Sequence, residues 1–229
     1  MITYRVDQGS PEWHNARAGK ITASMFSEAR KRLKSGPNKG GFTAAADDYA
    51  RGLAMERITG RVLLNEDFET HAMRRGHALE PEARALHEKK AGFFIEQTGF
   101  IATDCERFGA SADGEIQPGG GAEYKCFVSS KKVTQILIEG NIDDYLDQVY
   151  GCMAISGAYW WHFCLYCPDL ADAGKDLTVF QVERNESYIR DMWADLEEFD
   201  ALVQHYVKQL RLPTPGALVF DSKSKKVAL

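Results

Sequence analysis

The chain has 229 residues, enough for one well-cored domain or at most two small ones. Apolar residues make up 44% and charged residues 27%, no apolar run approaches a membrane span, and the N-terminus lacks a signal-peptide pattern, so no membrane-spanning helix is expected and a cytoplasmic protein is. The net charge of −5 gives no overall basic field, although it leaves room for a local positive groove, because charge placement sets the field.

Ser10-Pro11-Glu12-Trp13 opens the first predicted helix, with Ser10 as N-cap and Pro11 at the first helical position, and Gly19 closes it. A second helix is expected over 21–32. Residues 30–41 combine Arg30, Lys31, Arg32, Lys34 and Lys39 with turn formers. They read as an exposed loop, either plainly solvated or touching a phosphate backbone. Helices are predicted over 43–59 and 70–91, the second kinked or restarted at Pro81. Strands over 93–97, 100–103, 108–112 and 122–127 come next, then helices over 129–139 and 143–156. Two more strands, 159–166 and 178–183, lead into a final helix over 186–210. There Ile189, Met192, Leu196, Phe199, Val203, Tyr206 and Leu210 recur at helical spacing and form a core-facing stripe. The pattern predicts one α/β domain over 1–212, with a central mixed sheet flanked by helices, and a loosely held tail over 213–229.

Five cysteines without framework spacing suit a reducing compartment. Cys164 and Cys167 form a C-x-x-C in an aromatic-rich strand with His162 nearby, but no second ligand pair follows. They read as buried strand thiols, not zinc ligands.

The stretch most informative for chemistry runs from Ser111-Ala112-Asp113-Gly114 through a Gly/Pro-rich connector to Ala122-Glu123-Tyr124-Lys125. The connector suits a hairpin, and strand alternation points Glu123 and Lys125 to one face. Two carboxylates brought together there repel unless a divalent cation lies between them. Mg²⁺, with Mn²⁺ as a substitute, needs only such oxygen ligands, a backbone carbonyl and water. A bare D-x₉-E-x-K is equally the face of a surface hairpin. Two helical faces accompany it: Gly76, Glu80 and Arg84 in one helix, and Tyr145, Gln148 and Cys152 in another, where solvated or core roles are equally available. Glycine at 76 would let another element approach beside Glu80.

Taken in order, these residues resemble the phage lambda-type exonucleases, also called YqaJ-like viral recombinases. Trp13-His14-x₂-Arg17-x-Gly19-x-Ile21-Thr22-Ala23-Ser24, Gly76-x₃-Glu80-x₂-Ala83-Arg84, Ser111-x-Asp113-Gly114, Glu123-x-Lys125 and Tyr145-x₂-Gln148 carry the resemblance from residue 13 to 148. It implies a restriction-endonuclease-like PD-(D/E)xK core and a metal-dependent deoxyribonuclease. Asp113, Glu123 and the Tyr124 carbonyl would hold metal, and Glu80 a second metal or the attacking water. Lys125 and Gln148 would act on water or phosphate. Arg17, Ser24 and Ser111 are similar to residues that receive a terminal 5′-phosphate, with Trp13, His77 and Tyr145 as possible DNA contacts. The resemblance further implies 5′→3′ digestion of one strand from double-stranded DNA ends, leaving a 3′ overhang. It implies a homotrimer, a single-strand annealing protein as partner, no membrane partner, and a phage or prophage setting in a bacterial host. His77 and Asp147 depart from the familiar pattern. The competing readings are an endonuclease or RecB-like module on the same fold, and a non-catalytic module that binds DNA ends or an annealing protein.

Overall fold

The strands divide between two sheets, and the chain crosses from one to the other at the carboxylate Asp113. The computed structural model describes residues 1–63 and 71–216. The first sheet has the order β1 (Ile2–Tyr4), β4 (Phe100–Ala102), β5 (Phe108–Ala110), β2 (Ile21–Thr22). The second has the order β3 (Ile95–Glu96), β6 (Gly114–Ile116), β7 (Gly120–Lys125), β8 (Trp160–Tyr166), β9 (Leu177–Glu183). In the second sheet only β7 and β8 run parallel, so it is mixed, as expected.

Helix α1 (Pro11–Arg17) starts where Ser10 accepts the Trp13 N–H, and it packs through Ala16 and Trp13 on Phe100 and Ala102 of the first sheet. The expected helix over 21–32 is instead the strand β2, a 3₁₀ turn over Ala23–Met25, and α2 (Phe26–Arg30). The β-branched pair Ile21-Thr22 pairs in parallel with Phe108-Gly109, a distant contact that overrides the local helical pattern. Helix α3 (Ala44–Thr59) is capped by Thr43 and ends at the left-handed Gly60. Its buried face is Ala46, Ala50, Leu53 and Ala54, joined in one core with the Ile189, Met192, Leu196, Phe199 and Val203 stripe of α7 (Glu186–Leu210). Val207, not Leu210, completes that stripe; Leu210 is exposed, and the Tyr206 hydroxyl binds Asp47.

Helix α4 (His71–Ala91) runs through Pro81 as one element. It covers the face of the second sheet that carries Ala122, Tyr124, Cys126 and Cys164. Helices α5 (Ser130–Glu139) and α6 (Leu146–Ser156), with α7, cover the face carrying Trp161, Phe163 and Leu165. Gly151 lets α6 come close to the turn at 23–26, because a β-carbon there would lie 2.6 Å from the Phe26 ring. The cysteines are free, and Cys164 and Cys167 are buried. Among the described residues no helix is long and apolar enough to cross a membrane. The tail expected over 213–229 lies outside the described residues from 217 onward.

Candidate active site

The expected hairpin exists, but its first strand is Gly114–Ile116, of which Glu115 and Ile116 were read from sequence as connector. Gly114 pairs with Ala122, so continued pairing would set Ala112 opposite Tyr124. The chain leaves for the other sheet first. Asp113 Oδ2 takes the Tyr124 N–H that the ladder would have used, at 2.7 Å, while the Ala112 carbonyl accepts from Gln8 Nε2 at 2.7 Å and Thr98 Oγ1 at 3.0 Å. The sheet crossing therefore fixes Asp113 beside β7.

Glu123 and Lys125 share a face of β7, as the alternation predicts. Lys125 Nζ donates to Glu123 Oε1 at 2.6 Å and to Gln148 Oε1 at 3.1 Å, and Gln148 Nε2 donates to the same Glu123 oxygen at 2.7 Å. Glu123 is 2% exposed, and its Oε2 is buried with no hydrogen-bond partner among the described residues. Burial first, then the Glu123 and Glu80 charges, pushes the Asp113 carboxyl well above the ordinary carboxylate range. Glu80 is raised mainly by burial, with Arg84, 2.6 Å away, opposing the shift. Burial alone would lower Lys125, but Glu123 and Asp113 outweigh it and hold the ammonium above its usual value.

A pocket of about 610 Å³ joins these groups to Trp13, Arg17, Ser24, Gly76, His77, Ser111 and Tyr124. Trp13 Nε1 donates to Ser111 Oγ at 2.8 Å, and the Arg17 guanidinium lies 4.1 Å from the Trp13 ring centre. Thr22 links the next pair: its Oγ1 is 3.5 Å from Arg17 Nη2 and 3.3 Å from Ser24 Oγ. Burial draws Arg17 below its ordinary value, yet a guanidinium stays cationic. Arg17, Ser24 and Ser111, linked through Trp13 and Thr22, thus line the same cavity as the acidic cluster.

Tyr145 does not line the pocket. Its backbone belongs to a 3₁₀ turn over Asp143–Tyr145, not to α6, and its ring stacks on Phe163 at 4.9 Å. Gly76 has open space where a β-carbon would be, so among the described residues nothing packs against it; it leaves room in the pocket instead. Asp147 turns away to Arg30 and to the Tyr188 hydroxyl, which donates at 2.7 Å, and so ties α6 to α2 and α7. Most of the basic loop is paired: Arg30 also with Asp195, Lys31 with Glu28 and Arg32 with Glu198. Sequence reasoning missed Gln8, Ser129 and Lys132 as lining residues. Only Ser129 had a signal, its position as N-cap of α5.

The buried Glu123 oxygen without a partner and the all-oxygen donor set fit a hard divalent cation. Among the described residues no three His, Cys, Asp or Glu side chains form a ready-made cage.

This two-sheet fold, with carboxylates and a lysine on a central hairpin, is that of PD-(D/E)xK-type nucleases. The chain belongs to the YqaJ-like viral recombinase domain family, whose model matches residues 12–159. It is similar to the alkaline exonuclease LHK-Exo of Laribacter hongkongensis, at 28% identity and a TM-score of 0.74 over 88% of this chain and 96% of that one. LHK-Exo in complex with dAMP matches at 27% identity and a TM-score of 0.76, with the same coverage. A phage-related exonuclease from Haemophilus somnus 129PT shares the fold at 17% identity and a TM-score of 0.60, over 86% of this chain and 97% of that one. No curated protein sequence matches significantly.

Proposed function

We propose that this chain is a divalent-metal-dependent exonuclease that digests one strand of duplex DNA 5′→3′ and leaves a 3′ overhang. The observation that carries this reading is the Asp113–Glu123–Lys125 cluster sharing one pocket with the Arg17 guanidinium. Mg²⁺, or Mn²⁺ in its place, would be held by Asp113, Glu123 and the Tyr124 carbonyl. Such an ion makes a bound water more acidic and neutralises phosphate charge.

The protein's own groups do the rest. Gln148, turned by its bonds to both Glu123 and Lys125, orients water near the scissile phosphate. Lys125 steadies negative charge on the attacking oxygen. Glu80, whose proton affinity is raised, accepts a proton or contacts a second ion. Arg17, Ser24 and Ser111 receive the terminal 5′-phosphate, with Trp13 stacked under Arg17 and His77 on the pocket wall. That LHK-Exo takes dAMP supports a nucleoside monophosphate as product. Family membership supports a homotrimer working with a single-strand annealing protein.

The test is digestion of linear duplex with 5′-phosphate or 5′-hydroxyl ends beside closed circular duplex. Faster loss of the phosphorylated strand, with the circle intact, is expected. Cleavage of the circle would establish the endonuclease reading, and no cleavage with either metal the binding-module reading.

A further inference from the structure

Gly19 stands two residues after Arg17, and neighbouring side chains of α3 hold its backbone from both sides. Its N–H donates to Glu56 Oε2 at 2.8 Å, and its carbonyl accepts from Arg57 Nε at 2.7 Å. Gly19 adopts φ +69°, and a β-carbon there would lie 2.7 Å from Arg57 Cγ, so the contact is close as well as polar. Glycines that end helices are commonly served by backbone carbonyls. Here side-chain charges take that role.

The grip extends further. Glu56 Oε1 accepts the Leu63 N–H at 3.0 Å. Arg57 Nη2 meets Asp200 Oδ1 at 2.7 Å in an ion pair. Asp200 is 3% exposed, and its other oxygen accepts from Arg107 Nη1 at 2.9 Å. The Arg107 carbonyl then accepts the Ile21 N–H at 2.9 Å. Residues 19–21 are therefore tied at three points to one charged network shared by α3, α7 and Arg107. That segment connects Arg17 to Thr22 and Ser24. Neither Glu56 nor Arg57 lines the pocket itself.

We propose that Glu56 and Arg57 are positioning residues that hold the Arg17–Ser24 turn in register, and thereby set the preference for a phosphorylated end. The inference rests on the reading of Arg17, Ser24 and Ser111 as the 5′-phosphate site. A helix-to-loop junction held only by backbone bonds would leave Arg17 free to drift, and a two-point charge-assisted grip removes that freedom.

Initial rates on 5′-phosphorylated and 5′-hydroxylated linear duplex, for wild type, Arg17→Ala, Glu56→Gln and Arg57→Lys, test this. Glu56→Gln keeps the size but cannot accept both N–H groups; Arg57→Lys keeps the charge near Asp200 but lacks Nε. Each is expected to lower the phosphate-to-hydroxyl rate ratio about tenfold, while the hydroxyl-end rate stays within about twofold of wild type. A parallel readout is competition by a 5′-phosphorylated duplex in EDTA, which should weaken in both variants. An unchanged ratio in both variants overturns the inference, as does an equal loss on both substrates with a lowered Tm. If wild type and Arg17→Ala show no end preference, the phosphate-site reading fails, and this inference falls with it.

Discussion

Replacing Asp113 with Asn tests whether the acidic cluster is built for a cation. Asn can still accept the Tyr124 N–H through its oxygen, so the bond that is 2.7 Å long in the wild type survives. At a pH above the raised value, where Asp113 is ionised, what disappears is one negative charge beside Glu123 and Glu80. Like charges about 5 Å apart in an effective dielectric of about 20 repel by about 3 kcal/mol. Lys125 offsets part of this, which leaves a gain of about 1–2 kcal/mol for the metal-free variant. For a chain of this size the gain corresponds to a rise in Tm of about 2–8 °C. The pH dependence has a definite sign. Folded Asp113 holds its proton more tightly than unfolded Asp113, because its carboxyl is raised. Metal-free wild type therefore loses stability as pH rises from the ordinary carboxylate value to the raised one, and Asp113→Asn lacks that loss. Saturating cation reverses the order: at 100 times Kd wild type gains about 2.7 kcal/mol, and the variant much less. Calorimetric melts across pH, in EDTA and in Mg²⁺, read all of this. An Asn variant less stable than wild type in EDTA, with the same Mg²⁺ shift in both proteins, would mean that the cluster is not built for a cation.

Lys125→Met leaves Glu123, 2% exposed, with only the Gln148 amide as partner among the described residues. Urea melts in EDTA should show a loss of about 3–5 kcal/mol, and cleavage should fall by about a hundredfold or more; activity within about tenfold of wild type would remove Lys125 from the mechanism. Gly151→Ala drives a β-carbon to 2.6 Å from the Phe26 ring and 3.1 Å from Ala23 Cβ. It should destabilise by about 1–3 kcal/mol in a denaturant titration, and an unchanged midpoint would mean that α6 does not pack this closely. Arg17→Lys keeps a charge but loses the planar fork stacked on Trp13. Its preference for phosphorylated ends should fall about tenfold or more in paired-substrate rates, whereas an unaltered preference would place the phosphate elsewhere.

What the sequence revealed of the site depended on how local each feature is. Glu123 and Lys125 were legible because strand alternation is a two-residue rule, and the structure puts both on one face of β7. Asp113 was assigned to the hairpin, but its position depends on a sheet crossing. The partners of that crossing, Gln8 and Thr98, lie at separations that no local pattern encodes. The same reason hid β2: Ile21-Thr22 becomes a strand only because Phe108-Gly109 lies alongside. Tyr145 has helical spacing to Gln148, but a 3₁₀ turn carries it, and its half-buried ring packs against Phe163 and Phe127. The basic loop looked like a candidate DNA surface from its composition. Its charges are partly cancelled by Glu28, Asp195 and Glu198, and the last two belong to α7, a helix far away in sequence.

The central claim is that the cluster at Asp113 and Glu123 cuts DNA from a phosphorylated 5′ end. The most direct measurement is Mg²⁺-dependent digestion of a linear duplex phosphorylated at only one 5′ end, by wild type and by Glu123→Ala, with closed circular duplex alongside. Wild type alone should release mononucleotides from the phosphorylated strand and leave the circle intact. Equal digestion by Glu123→Ala, or loss of the circle, would rule out an exonuclease centred on Asp113 and Glu123.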